Sequence, residues 1–226
     1  MRQRTWSQAA ALLIVLLSLA SSPELNAQPL SIRGSIGVAH LPLPAWSDFW
    51  GDVEANSHYQ QNNPNVYYAL SVHYALSEHH SINLGTEFIR TTASLSSPMD
   101  NTLGVADWHI QGIPLTLGYE YRVSAFNEHF IPVAGAGVSY FFSQVDASFD
   151  QLGETDNANH VSDTRTGKGY GVHGSLGLIS EMTQALSIVT QVRYRYSNGM
   201  AFTDSEGDVK VEFTGVDVSV GVAWTL

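Results

Sequence analysis

Hydrophobic and polar residues alternate with a period of two after the first 27 residues, and the 3.6-residue period of an amphipathic helix is absent. The alternation is clearest at the C-terminus, where every second position is apolar: Val216, Val218, Val220, Val222, Trp224 and Leu226. The residues between them are small or polar. Successive side chains of a β-strand point to opposite faces, so the pattern predicts a strand with one apolar and one polar face.

Eight segments of this kind are predicted, at 30–40, 65–77, 81–92, 107–122, 129–143, 169–180, 185–197 and 209–226. Most exceed the roughly 5–6 residues of an ordinary strand and are long enough to cross a bilayer at a tilt. Connections near 78–80, 123–128 and 181–184 are short, whereas those at 41–64, 93–106, 144–168 and 198–208 are long and polar. The pattern predicts an all-β fold, an eight-stranded antiparallel transmembrane up-and-down β-barrel.

The two faces can be assigned in two ways. A soluble, lipocalin-like barrel would turn its apolar face inward and place the polar face in water. Here the polar face is rich in Gly, Ala, Ser and Thr and poor in Lys and Glu, and aromatic residues lie near the strand ends on the apolar face. We therefore expect the apolar face to meet lipid and the polar face to line the lumen, with the soluble carrier as the alternative.

The composition narrows the possible cellular location of the protein and the kinds of chemical site it can form. Charged residues make up only 14% of the chain, the formal net charge is -11, and there is no cysteine. An acidic chain is a poor partner for nucleic acid, and the absence of cysteine excludes disulfides and thiolate metal sites. Residues 1–27 have the features of a secretory signal peptide, with Arg2 and Arg4 before an apolar run at 9–19. The predicted barrel domain is then 28–226.

The last strand carries the most specific motif. Gly221, Trp224 and Leu226 follow the order Gly-x-x-aromatic-x-hydrophobic. With this ending and its eight segments, the chain resembles the small eight-stranded outer-membrane β-barrel family, which is OmpA/OmpX-like in a broad sense. The resemblance implies that the bacterial outer membrane is the location, that both termini face the periplasm, and that the barrel assembly machinery reads the final strand. It also implies outer-membrane lipids and lipopolysaccharide as partners.

A set of charged residues falls on the predicted lumen face: Arg33, Glu87, Glu120, Arg122, Arg193, Arg195 and Asp217. Buried charges must be paired, because leaving one unpaired costs several kcal/mol. We expect an ion-pair network that fills a narrow lumen, since eight strands leave a space that side chains nearly fill. The alternative is a gate or a narrow conduction path built from the same groups.

Two motifs suggest enzymes but lack essential parts. Residues 169–174 match G-x-G-x-x-G, yet another alternating strand follows where a dinucleotide fold needs a helix. Ser197 and Asn198 resemble the His-x-Ser-Asn stretch of lipid A deacylases, but Arg195 occupies the histidine position and cannot act as a base at neutral pH. His173 could substitute only if the fold brought it near. We therefore predict that the chain is not an enzyme and needs no cofactor or metal.

The long connections are the remaining candidates for function. Acidic residues cluster in 144–168 and aromatic residues in 41–64, and exposed loops of this kind can bind an extracellular ligand. We expect a structural or surface-interaction role through these loops. The alternatives are a narrow channel for small or apolar solutes and a lipid A-modifying enzyme of the deacylase kind.

Overall fold

A computed structural model describes residues 30–41, 58–61, 65–99, 102–123, 129–152, 159–198, 200–204 and 207–226. The predicted signal peptide lies outside these residues. In the described part the strands are β1 Leu30–His40, β2 His58–Gln61, β3 Asn65–Ala75, β4 His80–Met99, β5 Thr102–Arg122, β6 Phe130–Leu152, β7 Asn159–Glu181, β8 Leu186–Ser197, β9 Met200–Asp204, β10 Gly207–Val211 and β11 Gly215–Thr225.

Eight of these strands close into a barrel. Each of β3 to β8 pairs antiparallel with its neighbour along the barrel, and β1 pairs with both β3 and β11. The pairing of β11 with β8 completes the ring. Closure gives every strand two hydrogen-bonded neighbours, which removes the unpaired edges that a bilayer does not tolerate. The predicted eight-stranded antiparallel barrel is confirmed.

The exterior of the barrel is apolar. Large hydrophobic side chains point outward along all eight strands, and the most exposed include Leu176 at 70% and Tyr170 at 65%. On β5 the outward apolar positions run from Ile113 to Tyr121, about 27 Å along the strand at about 3.4 Å per residue. At a tilt of about 40° this band is about 20 Å tall, close to the ~25 Å of outer-membrane barrels. The soluble, lipocalin-like alternative is therefore wrong.

Four strands extend well beyond this band. The strands β4 to β7 have 20, 21, 23 and 23 residues, whereas β1, β3, β8 and β11 have 11 or 12. The expectation that 93–106 and 144–168 form long loops is therefore wrong, because most of those residues continue the strands. We call the extension, made of 90–99, 102–111, 144–152 and 159–168, the upper wall. Strand β2 pairs with β4 inside this wall, at 93–96.

The physical reason for this difference is an inversion of the alternation. Within the apolar band the outward positions are mostly apolar and the inward positions are mostly polar or small. Above it, outward positions such as Arg90 and Gln144 are polar, while inward positions such as Leu95, Trp108 and Val145 are apolar and buried. The inverted stretch is still β-structure, with its apolar face turned toward the lumen axis.

The last predicted strand, 209–226, is also interrupted. Strand β10 pairs with β9 as a separate hairpin, residues 212–214 belong to no strand, and β11 starts at Gly215. The apolar phase changes across this break, because Val209, Val211 and Phe213 are odd-numbered whereas the apolar set of β11 is even-numbered. In the described residues, no helix is long and apolar enough to span a membrane.

Candidate functional site

The end of the lumen next to the short turns is closed by an ion pair that crosses it. Arg33 of β1 donates to both carboxylate oxygens of Glu120 on β5, at 3.2 and 3.4 Å. Arg122, two residues further along β5, lies on the same face with its Nε 3.9 Å from Glu120 Oε1. The side chain of Arg122 is 26% exposed, whereas those of Arg33 and Glu120 are buried. This group is the floor of the lumen.

A second and tighter group lies higher in the lumen. Asp217 of β11 accepts hydrogen bonds from Arg193 Nε at 3.0 Å and from Arg195 Nη2 at 2.7 Å. Glu87 of β4 pairs with the same two arginines, through Oε1 with Arg193 and through Oε2 with Arg195 at 2.9 Å. The register explains the contact, because Asp217 lies directly opposite Arg193 on β8.

Tyr67 of β3 completes this upper group. Its hydroxyl donates to Asp217 Oδ1 at 2.7 Å, and the guanidinium carbons of Arg193 and Arg195 each lie 5.6 Å from its ring centroid. A cation within about 6 Å of an aromatic face is attracted by the ring quadrupole. The ring is buried and fits against Gly37, where a Cβ atom would lie 2.5 Å from Tyr67 Cζ.

The seven charged residues predicted for the lumen thus form two separate groups. Three buried arginines, Arg33, Arg193 and Arg195, face three buried carboxylates, so the charges of this group of described residues are balanced. Arg122 adds a positive charge at the partly exposed floor. Sequence reasoning placed these residues on one face, but the partners of each charge depend on barrel closure.

A polar cavity of about 60 Å³ separates the two groups. Arg33 and Glu120 form its floor, and Tyr67, Glu87 and Arg193 form its roof. Its walls hold small residues and two histidines: His73 Nε2 lies 2.9 Å from Ser71 Oγ, and His173 Nδ1 lies 3.4 Å from Ser139 Oγ. The volume suits a few water molecules or a solute of similar size.

Above the upper ion group the lumen changes from polar to apolar. Fully buried side chains from four strands and from Leu41, which directly follows β1, meet here with Phe213; the four strand residues are Tyr67, Ile89, Ile110 and Phe141. We call this set the apolar seal. The Phe213 ring stacks on Phe141, with centroids 5.7 Å apart and planes 7° apart. Gly112 provides its space, since a Cβ there would lie 2.8 Å from Phe213 Cζ.

Sequence reasoning missed Phe213 entirely. The alternation predicts a continuous strand through this residue, but it lies in the 212–214 break and points into the barrel. Its backbone N–H donates to Ser197 Oγ at 2.8 Å, and Thr214 Oγ1 lies 3.1 Å from the Ser197 backbone nitrogen. The change of apolar phase between Phe213 and Val216 was the signal that could have located the break.

The same contact defines the role of Ser197. Its side chain is buried, and its hydroxyl holds the Phe213 backbone N–H. His173 is hydrogen-bonded to Ser139 instead, so the described geometry gives Ser197 no histidine base.

Residues 169–174 lie within β7, with strand on both sides, so the dinucleotide interpretation is wrong. Among the described residues, no group of three or more His, Cys, Asp or Glu side chains could hold a metal ion.

The proposed assembly motif lies on the outer and inner faces of β11. Trp224 and Leu226 point outward and are largely exposed, while Gly221 faces inward. A Cβ at Gly221 would lie 2.5 Å from the Gly34 carbonyl oxygen, so a larger residue would not fit. Recognition of these residues by the assembly machinery stays a prediction.

Comparison with solved structures identifies the same architecture elsewhere. The chain is similar to the outer membrane protein OprG from Pseudomonas aeruginosa, with 15% sequence identity and a TM-score of 0.58, over 88% of this chain and 96% of that one. It also matches a major outer membrane protein from Thermus thermophilus, with 11% identity and a TM-score of 0.48, over 87% and 99% of the two chains. Ail, the attachment invasion locus protein of Yersinia pestis, matches with 12% identity and a TM-score of 0.45, over 88% and 99%. No family model and no curated protein matches the chain.

The fold and its exterior define the class. A closed barrel with an apolar outer band and a polar, ion-paired interior is a transmembrane β-barrel, and its fold is that of the small outer-membrane barrels. The bacterial outer membrane is the location, because the outward apolar side chains need a bilayer around them. In this class the short turns face the periplasm, so the floor is the periplasmic end and the upper wall is the extracellular end.

Proposed function

We propose that this outer-membrane barrel is not an enzyme and acts at the cell surface, where its upper wall binds lipopolysaccharide and stabilises the outer leaflet. The observation that carries the proposal is the row of outward side chains where the apolar band ends. A structural and surface-interaction role is favoured over conduction because the lumen is filled at two levels by ion pairs and above them by the apolar seal.

The lowest polar row lies at the height of the lipid headgroups. Ile113 and Phe142 are opposite each other and are the residues of β5 and β6 at which the continuous outward apolar band ends. Lys168 of β7 lies opposite Phe142, and Arg90 of β4 lies opposite Gln111 one row above. Arg90 and Lys168 are both exposed. Cations at this height are positioned for the phosphates of lipid A, which guanidinium and ammonium groups bind well.

The next row up offers groups for sugars and divalent cations. His109, Asp146 and Thr164 are consecutive partners across β5, β6 and β7. The Asp146 carboxylate accepts hydrogen bonds from Gln144 and from Thr164, each at 2.9 Å. The Gln144 hydrogen bond is the main cause that lowers the Asp146 pKa. A carboxylate that stays charged suits the hard cations that bridge lipopolysaccharide phosphates.

The test is lipopolysaccharide binding to the purified barrel in phospholipid nanodiscs, measured by native mass spectrometry with intact and dephosphorylated rough lipopolysaccharide. We expect Arg90→Gln to weaken binding of the intact form about fivefold, because a cation near an anionic lipid surface contributes ~1 kcal/mol. Lys168→Gln should act similarly, and neither change should affect the dephosphorylated form.

Arg165→Gln is the matched control. Arg165 carries the same charge on β7 but lies opposite Val145, whose side chain points inward. We expect this variant to bind like the parent. Equal binding by Arg90→Gln and the parent, or equal loss in Arg165→Gln, would refute the headgroup contact.

Two further partners follow from the same function. The assembly machinery would recognise Gly221, Trp224 and Leu226, and Trp224→Ala should lower the fraction of chain that reaches the outer membrane as a folded, heat-modifiable band. Unchanged assembly of this variant would count against the motif.

An extracellular ligand of the upper wall is the second partner, and flow cytometry with labelled surface glycans on cells with and without the protein would detect or exclude it.

A further inference from the structure

We infer that Phe213 is a removable stopper, and that the cavity beneath the upper ion group is a binding site for small hydrophilic solutes entering from the extracellular end. The inference goes beyond lipopolysaccharide binding and does not depend on it. It rests on the different ways in which the two ends of the cavity are closed.

The cavity itself has the chemistry of a solute site. It presents charged groups of both signs, two histidines and several hydroxyls within a volume of about 60 Å³. Arg33 Nε and His73 Nδ1 are buried and have no hydrogen-bond partner among the described residues. Buried polar atoms of this kind seek a partner, because an unsatisfied donor loses its hydration without compensation. A small solute carrying both donors and acceptors suits this lining.

The periplasmic floor is held by charge. Arg33 and Glu120 belong to β1 and β5, both of which are hydrogen-bonded on each side within the barrel wall. Opening this end would separate a buried ion pair and leave the Arg33 guanidinium without its carboxylate partner. The floor is therefore the more firmly closed end.

The extracellular closure is built differently. Phe213 contributes to the apolar seal from the 212–214 segment, which, like Leu41, belongs to no strand in the described part of the chain. The polar contacts that hold the segment run to Ser197, namely the Phe213 N–H to Ser197 Oγ and the Thr214 hydroxyl to the Ser197 backbone. Displacing the ring breaks no strand pairing and separates no ion pair among these described residues. Removing it would open a path down to the charged groups.

Removal of the ring also changes how water can enter. An apolar constriction excludes water by dewetting even where its diameter would admit it, so the seal keeps the upper lumen dry. Beneath it lie Arg195 and Asp217, which are strongly hydrophilic. Lifting Phe213 would let water and small solutes reach these groups and then the cavity.

The absence of native cysteine makes a cysteine-accessibility experiment clean. Ser35 lines the cavity, so Ser35→Cys places a thiol inside it. The barrel is reconstituted in nanodiscs and treated with methanethiosulfonate ethylammonium, and the labelling rate is read by mass spectrometry. We expect slow labelling of Ser35→Cys alone and a rate at least tenfold higher when Phe213→Ala is added. Phe213→Leu, which keeps an apolar side chain, should give a smaller increase.

Two controls make the result decisive. Phe142→Ala removes a ring of the same size from the lipid-facing side of β6, and it should leave the rate unchanged. Ser197→Ala removes the hydroxyl that holds the segment, and it should raise the rate while Phe213 is intact. Each variant is used only if it keeps the heat-dependent gel mobility of a closed barrel, and Phe213→Leu serves if Phe213→Ala does not fold.

The outcomes separate the alternatives. Equal rates with and without the Phe213 ring would overturn the inference, and so would an equal rise in Phe142→Ala, which would indicate general loosening. Unchanged labelling in Ser197→Ala would show that the segment does not move as described. Competition completes the test: glycine or urea present in millimolar excess should slow labelling in Phe213→Ala, and no slowing by either probe would mean that the cavity holds water only.

Discussion

Replacing Asp217 by asparagine tests whether the upper ion group holds the barrel together. The carboxylate is buried and accepts hydrogen bonds from Tyr67, Arg193 and Arg195. Asparagine keeps the shape but removes the charge, so the two guanidinium groups would share only Glu87 and one positive charge would be left uncompensated. Breaking a buried pair on one side costs about 3–5 kcal/mol. We expect the free energy of unfolding to fall by that amount.

The assay is urea unfolding and refolding in detergent micelles, followed by tryptophan fluorescence and by the folded band on unheated gels. Asp163→Asn is the matched control, because Asp163 also pairs with an arginine, at 2.6 Å, but its side chain is 52% exposed. Exposed ion pairs contribute about 0–1 kcal/mol, since water and salt screen them. A loss below about 1 kcal/mol for Asp217→Asn, or equal losses for both variants, would refute the assignment of stability to burial.

Two other expectations follow from named contacts. Gly37→Val would push a side chain into the Tyr67 ring, because even a Cβ atom at Gly37 would lie 2.5 Å from Tyr67 Cζ. We therefore expect this variant to lose the folded band on unheated gels. A variant that keeps the band would show that the Tyr67 ring can move. In a carboxyl-carbon NMR titration the pKa of Asp146 should lie below the ordinary range of an aspartate, so the carboxylate stays charged as the pH falls past that range. Gln144→Ala should raise the Asp146 pKa, because it removes the main stabilising hydrogen bond. An unchanged pKa in this variant would contradict the assigned cause.

Periodicity was sufficient to predict the barrel, and the composition of the two faces together with the aromatic residues near the strand ends predicted their orientation. The apolar set of β11 and the small polar residues between its members required one face in lipid and one in a narrow lumen, and the structure confirms both. The pairing of Arg33 with Glu120 was beyond sequence reasoning, because 87 residues separate them and only closure of the ring brings β1 and β5 across the lumen from each other.

The upper wall shows why a correct period can still mislead. The alternation does not stop at Arg90 or Gln144 but reverses its phase, because the surroundings change from lipid to water at that height. Polar residues then face outward, and apolar residues must turn inward and be covered. A prediction based on outward apolar positions therefore ended strands β4 to β7 too early and assigned the rest of each strand to loops.

The same reversal explains why the apolar seal lies where it does. Inside the membrane most lumen-facing residues are polar or small, because most of the large apolar residues face the lipid, and a small apolar cluster around Val133, Ile179 and Val189 is the exception. Above the membrane the apolar residues of the described wall face inward and pack against one another, and Phe213 fills space among them. The lumen is therefore closed by charge at the depth of the bilayer and by hydrophobic packing above it. Because the charged closure is built into paired strands and the apolar one depends in part on an unpaired segment, opening should begin at the extracellular end.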